Sequence, residues 1–158
     1  MKSRDRRDQD NPLVSDNASM NRIRRAASSD SGALFELTQE FATSFQPQIE
    51  AFEQSFEYLI KQDDALLLVA VEADQLLGYL LGFDHHALYA NGRVSWVEEI
   101  MVRPDRRRCG FGRDLMLHFE QWAAARGSRL VALATRRAAQ FYTSIGYHES
   151  AIYFRKLL

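Results

Sequence analysis

The densest chemistry in this 158-residue chain lies in eleven residues between a strand-like run and a helix-like run. Positions 103–113 read RPDRRRCGFGR. Arg103, Arg106, Arg107, Arg108 and Arg113 are five of the chain's 20 basic residues, and only Asp105 opposes them within the segment. Gly110 and Gly112 stand where the loop becomes a helix. Glycine permits positive φ and close approach of a ligand to the backbone. A helix N-terminus adds unpaired N–H groups and partial positive charge. Strand, basic glycine loop and helix thus make a cradle for a phosphate or pyrophosphate. A Rossmann fingerprint would need glycine or alanine where Leu115 stands, and the GxxxxGK[ST] loop is absent. The competing reading is a solvated charged turn with a helix cap.

Other reactive side chains lie on either side of this loop. Glu98 and Glu99 point to opposite faces of a regular strand, Glu98 with Trp96, Ile100 and Val102, and Glu99 with Val97 and Met101. A carboxylate among such neighbours has a raised pKa and can accept a proton. A bulge would scramble that parity. The alternative is one carboxylate paired with an arginine and one solvated. Tyr142, four residues after Ala138 and three before Ile145, faces inward on a helix, where a phenol needs a partner. Cys109 sits inside the basic loop, but no histidine with an Asn or Asp partner is recognisable to activate it. His85 and His86 end a strand and either line a site or sit at the surface. His118 reads as a helix-edge packing residue.

Positioning these groups requires a mixed α/β domain with a single sheet. A short strand is expected near Arg22–Ala26. Ser29 or Asp30 caps a helix to about Thr43, with Leu34, Leu37 and Phe41 at helical spacing. Pro47 suits the start of a second helix ending near Lys61. Strands follow at Ala65–Glu72, Leu76–Phe83 and Arg93–Arg103. A helix runs from about Gly112 to Arg126-Gly127, with Phe111, Leu115, Phe119, Trp122 and Ala123 inward. Leu130–Ala134 is a strand, Ala138–Ile145 a short helix, and Tyr147–Leu157 contains a last strand.

Composition limits the rest. Basic and acidic residues nearly cancel, leaving a net charge of −1, which argues against a general nucleic-acid binder. Hydrophobic residues at 46% and charged residues at 26% suit one globular domain able to bury a core. The longest apolar run, Ala65–Val71, is far short of the roughly 20 residues of a membrane helix. The single cysteine excludes an internal disulfide framework and a multi-cysteine zinc site, and no metal cluster is recognisable. Residues 1–19, charged and without aromatics, are expected to be a disordered tail before a domain at 20–158, and Met20 is an alternative start. With no apolar stretch after the charged start to act as a signal peptide, the expected location is the cytoplasm.

Arg107-Arg108-Cys109-Gly110-Phe111-Gly112 resembles the Q/R-x-x-G-x-G/A motif of the GNAT superfamily of N-acetyltransferases. VEEIMVRP (Val97–Pro104) is similar to that family's splayed fourth strand, and AAQFYTSIGY (Ala138–Tyr147) to its second signature. The resemblance spans residues 20–158 in element order and is specific in 96–147. It implies a GNAT-like fold, with one mixed, mostly antiparallel sheet flanked by about four helices. It also implies an enzyme moving an acetyl group from acetyl-CoA to a primary amine by direct transfer, without a metal. The backbone around Met101 and Val102 would pair with the pantetheine arm. Arg107, Arg108, Cys109, Gly110, Phe111, Gly112 and Arg113 would hold the pyrophosphate.

The resemblance assigns roles as well. Tyr142 would point at the CoA sulfur as general acid, Glu98 and then Glu99 would be the general base, and an N–H near Val102 would polarise the carbonyl. Thr135 stands where many relatives carry asparagine, which puts a cofactor contact from that position in doubt. The expected acceptor is a small-molecule or protein amine. Phe45, Phe52, Phe56 and Tyr58 would wall its groove. Glu50, Glu53 and Glu57 would either attract a cation or form a solvated face. No nucleic-acid or membrane partner is expected, and a homodimer is compatible with the sequence. A non-catalytic acyl-CoA sensor or interaction module on the same fold is the alternative, against which the presence of Tyr142, Glu98 and Glu99 argues.

Overall fold

The computed structural model describes residues 22–41 and 44–157. The expected tail at 1–19, Met20 and the end of the first helix near Thr43 lie outside these residues. In chain order the elements are β1 (Ile23–Arg25), α1 (Ser31–Phe41), α2 (Ile49–Leu59), β2 (Ala65–Glu72), β3 (Gln75–Ala87), β4 (Gly92–Val102), α3 (Phe111–Ala125), β5 (Ser128–Leu133) and α4 (Ala139–Ser144). Single 3₁₀ turns, Ser28–Asp30 and Pro104–Arg106, precede α1 and α3. The five strands form one sheet in chain order. The first four are antiparallel, and β5 joins β4 in parallel after the α3 crossover. This is the mixed, mostly antiparallel sheet with four helices expected from the sequence.

β2 explains why the sheet needs helices on both sides. Its residues alternate between two cores, Leu66, Leu68 and Ala70 in one, Leu67 and Val69 in the other. A strand buried on both faces reads as a continuous apolar run, as Ala65–Val71 does. The first core holds the α3 face, Phe111, Leu115, Met116 and Phe119, together with Tyr142 of α4. The second holds Leu34 and Leu37 of α1 and Phe56 of α2. At Gly82, an added Cβ would come within 2.4 Å of Phe119 Cε2 and 2.9 Å of the Trp96 carbonyl oxygen. The missing side chain lets α3 press onto the sheet at that point.

Two expectations need correction. The regular alternation expected across Glu98 and Glu99 is broken by a bulge. Leu81 pairs with Glu99 and Gly82 with Val97, leaving Glu98 as the extra residue. Val97 therefore shares the α3 face with Ile100 and Val102, while Met101 packs on the α1/α2 face. The strand expected within Tyr147–Leu157 is also not formed. Ile152, Tyr153 and Phe154 are exposed, and Arg155 Nη1 donates to Ser44 Oγ at 2.8 Å. Alternating apolar residues supply strand propensity, but a strand exists only when a neighbour completes its ladder.

A buried ion cluster fastens the lower end of the β3–β4–β5 layer. Asp84, 1% exposed, accepts from Arg126 Nε at 2.8 Å, Ser128 Oγ at 2.6 Å, Ser95 Oγ at 3.3 Å and Arg93 Nε. Burial alone would raise its pKa, but the bonds from Ser128, Arg126 and Arg93 outweigh that and hold it below the ordinary aspartate value. A depressed folded value means that stability from this group is fully present above about pH 3.9 and is lost as pH falls through the lower folded value. Asp84→Asn leaves two arginines without their counter-ion. Since both arginines reach solvent, urea unfolding at pH 7 should show a loss of roughly 3 kcal/mol, the low end for breaking a buried pair. The variant should also lose that part of the acid dependence.

Candidate active site

The site begins where two parallel neighbours part. β4 and β5 pair at Ser95–Val131, Trp96–Ala132 and Val97–Leu133, and β5 ends there. β4 continues to Val102, still paired with β3 on its other side. The Arg103 N–H donates to the Leu77 carbonyl at 2.8 Å. By the alternation of an antiparallel ladder, the backbone groups of Glu99 and Met101 also face β3, whereas those of Ile100 and Val102 face the gap. One is already used, since Arg107 Nε donates to the Val102 carbonyl at 3.2 Å.

The gap opens into a cleft of about 1500 Å³. One wall is β4 with the loop after it, and the other is Leu133–Ala138 with α4. Gly110, at φ 89°, turns the chain into α3 and occupies its cap position with no side chain to cap it. Asp114 N–H donates to the Gly110 carbonyl at 3.0 Å as the helix begins. The N–H groups of Phe111, Gly112 and Arg113 therefore have no acceptor within the helix. Gly112 lets the helix start lie close to α4, because a Cβ there would meet the Phe141 ring at 3.3 Å. Arg103 pairs with Asp105 at 3.2 Å and Arg106 with Glu72. Arg107, Arg108 and Arg113 line the cleft with no ion pair among the described residues, as do Arg136 and Arg137.

The candidate residues separate into two groups. Met101, Val102, Arg107, Arg108, Gly110, Phe111, Gly112, Arg113, Glu98 and Tyr142 all line the cleft. Tyr142 is 7% exposed, and burial pushes its phenol up to about 12. Glu98, extruded by the bulge, is exposed on the wall and accepts from Trp96 Nε1 at 3.0 Å. Glu99 turns to the α1/α2 side instead and accepts from the Tyr79 hydroxyl at 2.7 Å. Burial raises the Glu99 pKa, the Tyr79 bond pulls it back, and the Glu98 charge adds to the rise.

Of the other candidates only Thr135 lines the cleft. Cys109 is exposed, its thiol 3.6 Å from the Arg107 carbonyl oxygen, and is not part of the cleft lining. Thr135 Oγ1 accepts from the Ala138 N–H at 3.1 Å ahead of α4. His86 lies 2.7 Å from Arg93 Nη1 at the far strand end, and His118 Nδ1 lies 2.8 Å from the Asp114 carbonyl. The α2 residues Phe52, Phe56 and Tyr58 do not line the cleft. Its outer wall comes from Glu40 and Phe41 at the end of α1 and Ser44 just after it, with Arg155, bonded to Ser44, and Leu157. No local motif marks these residues, which only the fold brings to one edge.

Comparison with known proteins agrees with this architecture. Residues 32–147 match the model of the acetyltransferase (GNAT) family. Over 117 residues the chain is 31% identical to aminoglycoside N(6')-acetyltransferase type 1 of Acinetobacter genomosp. 13, covering 68% of this chain and 80% of that relative. Glucosamine-6-phosphate N-acetyltransferase of Arabidopsis thaliana superposes with a TM-score of 0.77 at 20% identity, over 85% of this chain and 96% of the other. AAC(6')-Iy, in complex with a CoA-S-monomethyl-acetylneamine bisubstrate analogue, gives a TM-score of 0.73 at 21% identity, over 86% and 97%. The two structures speak for the fold, and the family model and the curated relative for kinship: the chain belongs to the GNAT acetyltransferase family and is an acyltransferase.

Proposed function

We propose that the protein moves an acetyl group from acetyl-CoA to a primary amine of a small polyamine, by direct transfer inside the β4–β5 cleft. The observation that carries this reading is continuity: uncapped amides, unpaired strand backbone and a buried tyrosine line one cleft. An aminoglycoside-like acceptor is favoured by kinship to the Acinetobacter enzyme. The donor set fits a diphosphate, because the Phe111–Arg113 amides need acceptors and Arg107, Arg108 and Arg113 add positive charge. The groups of Ile100 and Val102 fit an extended, amide-bearing chain added beside a strand. Once bound, the thioester supplies an activated acetyl group on a thiol of pKa about 8.5, taking cysteine as model.

Each remaining step falls to a residue of the chain. Tyr142, protonated throughout the neutral range, donates to the departing sulfur. The Val102 N–H polarises the acetyl carbonyl. Glu98 accepts the amine proton, directly or through water, and with Glu40 supplies negative charge facing a cationic acceptor. Glu99, held by Tyr79, anchors the bulge that extrudes Glu98.

Turnover is read as free thiol released from acetyl-CoA across an amine panel that includes aminoglycosides. Tyr142→Phe should lower kcat by about 10²-fold with little change in KM for acetyl-CoA. Tight CoA binding with no turnover on any amine would favour the non-catalytic sensor instead. Gly110→Glu, which forces a side chain and a negative charge into a left-handed cap position, should abolish CoA binding in calorimetry while circular dichroism stays native. Glu98→Gln should remove the acid limb of the pH–rate profile. Loss of that limb in Glu99→Gln alone would transfer the base to Glu99.

A further inference from the structure

We propose that Glu72 is a positioning residue that ties the loop after β4 to the sheet through two arginines, an inference that rests on the cofactor site proposed above. Glu72 ends β2 just before the tight turn at Ala73-Asp74, whose φ values of 48° and 63° suit a two-residue hairpin. Its carboxylate meets two cations. Oε1 lies 3.9 Å from Arg22 Nη2, and Oε2 contacts Arg106 Nη2.

Each arginine holds a different end of the loop. Arg106 closes the 3₁₀ turn with which the loop opens. Arg22 is fixed to the sheet, its carbonyl accepting the Val71 N–H at 2.7 Å. Its guanidinium lies 3.6 Å from the centroid of the Phe111 ring, the first residue of α3. Its Nη2 also donates to the Cys109 carbonyl at 3.5 Å. One carboxylate therefore braces both the entry to the loop and the start of the helix whose amides face the cleft. Neither Glu72 nor Arg22 lines the cleft, so their effect passes through the loop. The Nε atoms of Arg22 and Arg106 are buried without a partner, an unfavourable arrangement for a contact serving stability alone. The braced loop carries left-handed φ at Arg108 and Gly110, and its amides must be placed to fractions of an ångström for binding to be productive.

Charge and position make opposite predictions for Glu72. The bound carrier is anionic, so by field effects alone Glu72→Gln would tighten it and Arg22→Gln would weaken it. A brace requires both to weaken it. With amine saturating, each variant should raise KM for acetyl-CoA and the calorimetric Kd for CoA by roughly 3- to 10-fold, with kcat within about twofold, and the double variant should be no worse than the worse single. Arg22→Lys, which keeps the charge but not the planar stacking, should show the same rise and serves if Arg22→Gln folds poorly. Movement of the two Gln variants in opposite directions, unchanged affinity, or a fall in kcat at constant KM overturns the brace alone. Absence of CoA saturation in the unmutated protein overturns the cofactor site and the brace together.

Discussion

A parallel strand pair that comes apart is the constraint on which the rest depends. β4 and β5 keep company through Val97 and Leu133, and then only β4 goes on. Five more residues of β4 follow, and among the described residues no strand pairs with them on that side. Backbone polar groups need partners, so the edge left at Ile100 and Val102 requires water, a side chain or a ligand. Arg107 meets one of these needs. The uncapped start of α3 adds a second set of unmet donors at the mouth of the same gap. The cleft is a place where two secondary structures stop short of satisfying themselves, and a ligand chemistry rich in carbonyls and phosphates is the natural complement.

The cores on the two faces of the sheet keep that gap from collapsing. On one side Phe111, Leu115 and Phe119 press α3 onto the strands, reaching Gly82 closely enough that no Cβ fits there. On the other, Tyr79 lies under Phe41, with ring centroids 6.2 Å apart, and holds Glu99. The bulge opposite Leu81 and Gly82 adjusts the strand between these two cores. One carboxylate is drawn into a half-buried pair with a phenol and its neighbour is pushed onto the cleft wall. Two adjacent glutamates thereby come to occupy unlike environments.

Charge is distributed unevenly for a chain that is nearly neutral. The cleft collects arginines from the loop after β4 and from the turn before α4, while Glu40 and Glu98 stand on its wall. Arg103 and Arg106 are paired with carboxylates, whereas Arg107, Arg108 and Arg113 line the cleft without an ion pair among the described residues. At the opposite end of the layer, Asp84 gathers Arg93 and Arg126 where β3, β4 and the end of α3 meet. The strands are locked together there and part only at the other end.

What sequence alone determined was local. The basic glycine loop, the apolar run of β2, the inward face of α3 and the short helix bearing Tyr142 are written in consecutive residues or at helical spacing, where backbone geometry fixes which side chains share a face. Tertiary structure decided what depends on neighbours distant in sequence. Val97 left its expected place beside Glu99 and Met101 for the opposite face because a bulge answers to the opposing strand rather than to strand propensity. The apolar residues after Tyr147 formed no strand because no ladder received them. Cys109, inside the loop by sequence, is exposed and does not line the cleft. The pairing of Arg22 and Glu72 beneath the loop has no signature at any short spacing, since folding alone brings those residues within reach of one another.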